Sequence, residues 1–213
     1  MKNRTKRNIR TARLALPTLL AVIVSAFFSA VLAGNAFARS VPEYSVKEAA
    51  KRLSGGGFVL MMRHSRTVPG TGDPPGFDLE KCATQRNLSD VGRAQARKLG
   101  QAFAQAGIPL AEARHSQWCR CRDTAQLAFG EVLPVTDLKA LNSTFAGQGD
   151  PAAQQAALKE AAGALAPDTN VIWVTHQVIV SSATGLWASQ GDVLATRLLD
   201  GEFVVKFRIP ADE

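Results

Sequence analysis

The chain has 213 residues, of which 46% are hydrophobic and 20% are charged, as is ordinary for a single globular domain. Its formal net charge is +7, but six of the 25 basic residues lie before Leu14 and no acidic residue precedes Glu43. Without residues 1–38 there are 19 basic and 18 acidic side chains, so we expect no nucleic-acid partner.

The first 38 residues have the three parts of an export signal. A basic start precedes an apolar run from Leu14 to Ala33, and Ala36-Phe37-Ala38 has the A-x-A pattern of a cleavage site. We expect cleavage before Arg39 and a periplasmic or otherwise exported protein made of residues 39–213. The apolar run is also about as long as a bilayer requires, so an uncleaved anchor is the alternative. Membrane contact is expected only through this leader, and only if it is not cleaved.

The first elements of the mature chain surround a long loop. Val46–Leu53 predicts a short amphipathic helix, and the apolar run Phe58–Met62 predicts a strand buried on both faces. Arg63–Asn87 is rich in Pro, Gly and Asp and has no periodicity, as is typical of functional or disordered loops. Ser89 is a good N-cap for a helix over Asp90–Ala106.

The middle of the chain alternates weak strands with helices. Ala111–His115 is a short strand candidate and is followed by a helix from about Trp118 to Phe129. Val132–Val135 predicts another small strand, and Asp137–Asp150 is irregular. Pro151 is well placed at the start of an alanine-rich helix that runs to Leu165.

The last third contains a second buried strand and a hairpin. Val171–Thr175 predicts the strand, and a helix follows it as far as Trp187. Asp200-Gly201 separates the alternating runs Val193–Leu199 and Glu202–Ile209, which is a strong hairpin signal. The whole pattern predicts an α/β fold, a three-layer α/β/α sandwich with a mostly parallel central sheet that the C-terminal hairpin makes mixed.

The cysteines predict one disulfide. Cys82, Cys119 and Cys121 all follow the leader, and export takes them to an oxidising compartment. Two residues that are two apart on a helix point in different directions, so Cys119 and Cys121 are a poor pair. We expect Cys82 to pair with one of them and leave one thiol. A zinc site is a weaker alternative, because there is no C-x-x-C and no second ligand pair.

Two histidines follow the two strongest strand predictions. His64 comes just after the first buried strand and His176 directly after the second. Ligands of open α/β sheets bind beyond the carboxyl ends of the strands, so both rings are expected at one rim. Arg63 directly precedes His64, and Arg120 lies near the start of the helix predicted from Trp118. Guanidinium groups bind phosphate oxygens through two hydrogen bonds at once. This set favours phosphate chemistry with a histidine nucleophile.

Four segments, in order, resemble the histidine phosphatase superfamily, the phosphoglycerate-mutase-like fold. LMMRHSRT is similar to the family's strand with its Arg-His-Gly motif, and NLSDVGRAQARKLGQAF to its Leu-Ser-x-x-Gly-x-x-Gln-Ala helix. SQWCRCRDTA resembles the segment with the second phosphate-binding arginine, and VIWVTHQ the strand that delivers the second histidine. GDPPGFDLEKCATQRNLS makes small exported members the nearest likeness. The four segments are Leu60–Thr67, Asn87–Phe103, Ser116–Ala125 and Val171–Gln177, and the stretch shared with small exported members is Gly72–Ser89.

The resemblance implies roles and also shows departures. It makes His64 the nucleophile and makes Arg63, Arg120 and His176 the phosphate ligands. Ser65 stands where the family has glycine, adding bulk where backbone should approach phosphate. Gln177 also replaces a common glycine.

The proton donor is the largest departure. Many members carry a Glu after the third strand, where the best-aligned residue here is Asn142. The acid then comes from the long loop, with Asp73 first and Asp78 or Glu80 next, or the leaving group needs none. For Asp73, which lies between Gly72 and Pro74, an ordinary turn aspartate is the favoured interpretation.

The functional prediction is a metal-independent phosphatase that hydrolyses a small phosphomonoester through a phosphohistidine on His64. No metal and no cofactor are expected. The alternative is a non-catalytic phosphate- or phosphosugar-binding module of the same fold, which kept the pocket but lost the acid.

Overall fold

The computed structural model describes residues 41–70, 72–144 and 149–211. The predicted export signal, residues 1–38, lies outside these described residues, so its cleavage stays a prediction. Within the described ranges, no helix is both long and apolar enough to cross a bilayer.

The described part of the chain alternates strands with helices. The α-helices are α1 (Val46–Leu53), α2 (Asp90–Gln105), α3 (Cys119–Phe129), α4 (Pro151–Gly163) and α5 (Gln177–Thr184). The strands are β1 (Val59–Arg63), β2 (Glu112–His115), β3 (Val135–Asp137), β4 (Val171–Thr175), β5 (Val193–Leu199) and β6 (Glu202–Ile209). Short 3₁₀ turns occupy Cys82–Thr84 and Lys139–Leu141.

The strands form one mixed sheet in the order β3-β2-β4-β1-β5-β6. β3, β2, β4 and β1 are parallel to one another, whereas β5 runs antiparallel to β1 and forms the terminal hairpin with β6. This arrangement confirms the predicted mostly parallel sheet with a C-terminal hairpin.

Helices cover both faces of the sheet. Leu60 and Met62 of β1 pack on one side with residues of α1, α2 and α3. Val59 and Met61 pack on the other side with residues of α4 and α5. A strand between two helical layers is buried on both faces, so its residues are apolar without alternation. This is why the continuous apolar run predicted a buried strand here. The three-layer sandwich is confirmed.

The predicted strand at Val132–Val135 is wrong in position, because β3 begins at Val135. The backbone N–H groups of Val132 and Leu133 both donate to the carbonyl of Phe129, so these residues complete the turn after α3. Leu133 still packs against the core, which accounts for the apolar pattern without a strand.

The helix predicted to reach Trp187 ends earlier, at Thr184. Gly185 has a positive φ of 72°, and its N–H donates to the carbonyl of Ser181. This left-handed cap stops the helix and frees the residues up to Trp187 to run on as an irregular segment.

Candidate active site

The two histidines emerge side by side because their strands are neighbours. β1 and β4 are parallel, and Arg63 lies opposite Thr175 in their register. The backbone N–H of His64 donates to the carbonyl of Thr175 at 2.9 Å. The rings of His64 and His176 lie 5.7 Å apart, centroid to centroid, and both are buried.

One ring nitrogen of His64 is committed to the backbone. Its Nδ1 lies 2.8 Å from the carbonyl oxygen of Ser65. A carbonyl oxygen only accepts, so Nδ1 carries the hydrogen and Nε2 carries the lone pair. Burial, reinforced by Arg120, lowers the pKa of His64 to about 3. The imidazole is therefore neutral near pH 7, with one nitrogen able to act as a nucleophile.

The tautomer of His176 follows from a chain of three hydrogen bonds. Asn142 Oδ1 accepts from the backbone N–H of Gln117, so it is the oxygen of the amide. Ser116 Oγ donates to that oxygen at 3.1 Å and must therefore accept from Nε2 of His176 at 2.8 Å. The hydrogen of His176 is on Nε2, and its Nδ1 lies 3.4 Å from Nη2 of Arg120.

Burial lowers the pKa of His176 well below its usual value, and the positive charge of Arg120 acts in the same direction. Both imidazoles are thus neutral in a region whose positive charge comes from arginine. This is the electrostatic setting that attracts an anion to the rim of the sheet.

Arg120 lies in the first turn of α3 and is only 3% exposed. Its Nη1 donates to Oδ1 of Asp73 at 2.9 Å. The hydroxyl of Thr124 donates to the backbone carbonyl of Arg120. The same hydroxyl oxygen, Thr124 Oγ1, accepts from the backbone N–H of Ser65. The four-residue spacing between Arg120 and Thr124 therefore ties the helix to the turn that follows the nucleophile.

Arg63 approaches the same space from the end of β1. Its Nη1 donates to the carbonyl of Ala188 at 2.9 Å, and its Cζ lies 5.5 Å from the ring centroid of Trp187. Nε of Arg63 and Nε of Arg120 are both buried and have no hydrogen-bond partner among the described residues. Buried donors of this kind indicate a site built for an acceptor.

These groups share one cavity of about 900 Å³. It brings together all five predicted site residues, which are Arg63, His64, Asp73, Arg120 and His176. Asp73 is the one carboxylate among the described residues that line it. Within the described ranges, no group of three or more His, Cys, Asp or Glu side chains could hold a metal ion.

Residues 59–157 match the model of the histidine phosphatase superfamily, branch 1. The comparison with curated proteins found no match.

Solved structures share this fold. The protein histidine phosphatase SixA complexed with tungstate is 15% identical, with a TM-score of 0.54 over 72% of this chain and 97% of that one. The alpha-ribazole phosphatase from Shigella flexneri is 15% identical, with a TM-score of 0.50 over 70% and 95%. The mycobacterial glucosyl-3-phosphoglycerate phosphatase is 14% identical, with a TM-score of 0.50 over 68% and 91%. At these identities the likeness shows the fold alone, and the small exported branch stays a prediction.

The Leu-Ser-x-x-Gly segment, Leu88–Gly92, supports the loop after His64. Ser89 caps α2 by accepting from the N–H of Gly92, and its own backbone N–H donates to the carbonyl of Arg66. A Cβ on Gly92 would lie 1.8 Å from that carbonyl oxygen, so only glycine fits. Gln95 Oε1 accepts from the N–H of Arg66. The motif thus fixes the loop two residues after His64.

A disulfide fastens the long loop to the same helix as Arg120. Cys82 is bonded to Cys119, and Cys121 is free and buried. This confirms the predicted pairing of Cys82 with one of the other two. The side chain of Gln85 also accepts from the backbone N–H of Cys119, so two links hold the loop beside the pocket.

The alternative acids and His115 lie elsewhere. Asp78 and Glu80 are not among the residues that line the cavity, and Asp78 is engaged with Lys81 and the N–H of Glu80. His115 is buried with its Nδ1 on the carbonyl of Ser116, and it does not line the cavity either. Of the loop carboxylates considered, only Asp73 reaches the site.

The expected bulk of Ser65 is not in the cavity. Ser65 is fully buried and is not among the lining residues, and its hydroxyl has no hydrogen-bond partner among the described residues. Gln177 does line the cavity. The substitution at residue 65 is therefore absorbed by the protein interior.

Sequence reasoning missed Arg86. It lines the cavity, and its charge helps to lower the pKa values of both His64 and His176. Its backbone N–H donates to Oδ1 of Asp73 at 3.0 Å. Its position in the sequence could have indicated this, because Arg86 lies two residues before the Leu88-Ser89 pair. The contact of Ser89 with Arg66 brings that part of the loop close to His64.

Proposed function

We propose that the protein is a metal-independent phosphatase that hydrolyses a small phosphomonoester through a phosphohistidine on His64. The observation that carries the proposal is the placement of a neutral imidazole, with Nε2 unprotonated, in one cavity with Arg63, Arg120 and His176. A pocket with a nucleophile and convergent positive donors is suited to phosphoryl transfer.

In the first step, Nε2 of His64 attacks phosphorus and the bond to the leaving-group oxygen breaks. Arg63 and Arg120 stabilise the charge on the three other phosphoryl oxygens. His176, whose hydrogen is donated to Ser116, keeps its Nδ1 beside Nη2 of Arg120 and so positions that guanidinium for the phosphoryl group. In the second step, water attacks the phosphohistidine, the P–N bond breaks, and phosphate leaves with His64 regenerated.

Asp73 is proposed as the group that handles the proton. Once released from Arg120, the Asp73 carboxylate takes up a proton from solvent and gives it to the leaving oxygen, and the carboxylate that results then accepts a proton from the attacking water. In the described structure Oδ1 of Asp73 accepts from Arg120 and from the N–H of Arg86. A phosphoryl group that binds Arg120 competes with the carboxylate for this guanidinium and thereby releases Asp73.

A non-catalytic binding module is the second candidate, and two observations favour it. Asn142 cannot donate as a carboxylic acid does, and its side-chain hydrogen bonds within the described part of the chain go to Ser116 and Gln117. Asp73 is held as an acceptor by Arg120. In this reading the cavity binds phosphate without turning an ester over.

Trapping the covalent intermediate separates the two candidates. The protein is mixed with a ³²P-labelled aryl phosphate, quenched in alkali, and examined for an alkali-stable, acid-labile label. We expect label and turnover in the wild type and neither in His64→Asn. His115→Asn is the matched control, because His115 is also buried with Nδ1 on a backbone carbonyl but lies outside the cavity. Tight phosphate binding without label in the wild type supports the module.

We further propose that the protein is exported, with residues 1–38 as a signal that is removed. The disulfide between Cys82 and Cys119 supports an oxidising compartment. N-terminal sequencing of the protein from a fractionated host tests this proposal. A mature chain that begins at Arg39 in the periplasmic fraction is expected, and a membrane-bound chain that begins at Met1 indicates an anchor.

A further inference from the structure

The cavity is much larger than one phosphoryl group. Its volume of about 900 Å³ lies at the upper end of the range for pockets that enclose whole small ligands. Arg63, Arg120 and the two histidines account for the phosphate end. The remaining walls must therefore contact the organic part of the ester.

Aromatic rings form two of those remaining walls. Beside His176, Trp118 packs edge-on at 5.2 Å, and Phe77 lies 5.6 Å from Trp118, both between ring centroids. Beside Arg63 is Trp187, whose ring lies 5.5 Å from Cζ of Arg63. Pro74 and Pro75 extend the first wall. Each wall thus begins at a phosphate-binding residue and continues as apolar surface.

Two polar side chains of α5 that line the cavity, Gln177 and Ser181, are already engaged within the protein. Gln177 donates to Ser181 Oγ at 2.6 Å and accepts from the N–H of Ala188. Ser181 Oγ in turn donates to the carbonyl of Leu186. A polyhydroxyl ligand would find few partners on this helix, whereas an apolar ring requires none.

The exposure of Trp187 is a second, independent observation. It is 66% exposed and is the one aromatic side chain among the large exposed hydrophobic residues of the described chain. The early stop of α5 at Gly185 brings it to the mouth of the cavity. Exposed apolar surface at the edge of a pocket marks a ligand-binding site.

We propose that the organic group of the substrate is an aromatic or similarly flat, apolar ring, held between Trp187 and the pair Phe77 and Trp118. This inference rests on the proposed function, since it assigns the substrate class of the same phosphate site. Stacking and edge contacts with these rings favour a cyclic group over a short aliphatic one.

Non-hydrolysable phosphonates test this inference without turnover. Dissociation constants of inorganic phosphate, methylphosphonate and benzylphosphonate are measured by calorimetry for the wild type and variants. We expect benzylphosphonate to bind the wild type about tenfold more tightly than methylphosphonate. Trp187→Ala should remove most of that preference, and the inorganic phosphate affinity of each variant serves as its own reference. Val132→Ala is the control, because Val132 is 67% exposed but lies outside the cavity.

Each outcome decides a different point. Equal affinity for the two phosphonates, with phosphate bound, overturns the ring inference and leaves the proposed function standing. A preference that survives unchanged in both Trp187→Ala and Phe77→Ala also overturns it. Failure of the wild type to bind phosphate or either phosphonate overturns the proposed function and the inference together.

Discussion

Nη1 of Arg120 lies 2.9 Å from Oδ1 of Asp73, so the guanidinium assigned to phosphate is paired with a loop carboxylate. Both partners are largely shielded from water, with the Arg120 side chain 4% exposed and the Asp73 side chain 19% exposed. A carboxylate in this place competes with any incoming anion, and its displacement couples substrate binding to the release of the proposed proton donor.

Asp73→Asn separates competition from proton donation. Removing the negative charge is expected to tighten inorganic phosphate binding several-fold, because Arg120 loses its anionic partner. If Asp73 is the acid, turnover of an alkyl phosphate falls by about 10²–10⁴-fold, whereas an aryl phosphate with a good leaving group is much less affected. Steady-state kinetics with both esters measure this. If turnover of both esters falls equally and only slightly, Asp73 serves to hold Arg120 and is not the proton donor.

Asn142 is expected to act on His176 through Ser116. Asn142→Leu removes the acceptor of the Ser116 hydroxyl, which is then free to donate to Nε2 of His176 and so to change its tautomer. We expect kcat to fall about tenfold or more. Asn142→Asp keeps an acceptor oxygen for Ser116 and should rescue activity. ¹⁵N NMR of the His176 ring reports the tautomer, and an unchanged spectrum in Asn142→Leu would refute this role.

Arg86 is expected to contribute to phosphate binding. Arg86→Gln removes a positive charge from the cavity and should raise the dissociation constant of phosphate by about 3- to 10-fold. Arg93→Gln is the control, since Arg93 lies on α2 outside the cavity and pairs with Asp123. Calorimetric titration distinguishes the two, and equal effects in both variants would assign the loss to net charge alone.

The histidines make the fold sensitive to acid. The folded-state pKa of His64 is about 3, and that of His176 is also lowered, whereas an unfolded histidine titrates near 6.5. Between these values the unfolded chain binds more protons than the native one, so stability falls as pH falls from about 6.5 toward 3. Each ring contributes at most about 1.4 kcal/mol per pH unit. Urea unfolding at pH 7, 6, 5 and 4 should show a shallower decline in His64→Asn than in the wild type.

Loss of the disulfide should weaken both stability and the site. Cys82 and Cys119 close a loop with a sequence separation of 37, which corresponds to about 2–4 kcal/mol of stabilisation. Cys82→Ser with Cys119→Ser should lower the free energy of unfolding by about that amount. It should also weaken phosphate binding, since Asp73 and Arg86 lie on the freed loop. If phosphate affinity is unchanged while stability falls, the bond has no part in shaping the cavity.

The elements with continuous or alternating patterns were predicted correctly. Val46–Leu53, Val193–Leu199 and Glu202–Ile209 have the predicted bounds, because their periodicity and turn residues agree with their final burial. The strand predicted at Val132–Val135 was wrong in position, because apolar residues that finish a helical turn look the same as a short strand in sequence. His64 and His176 were placed correctly at one rim, since parallel neighbouring strands end on the same edge.

By itself, the sequence determined the sheet and its helical layers, because local residue patterns indicate which segments are buried and where strands end. It also identified four of the residues that line the cavity, which are Arg63, His64, Arg120 and His176. The tertiary structure alone decided which cysteine pairs with Cys82, that Asp73 bonds to Arg120, that Arg86 joins the cavity, and that Trp187 reaches its mouth. These features lie in irregular segments, whose course depends on contacts between residues far apart in the chain rather than on any local period.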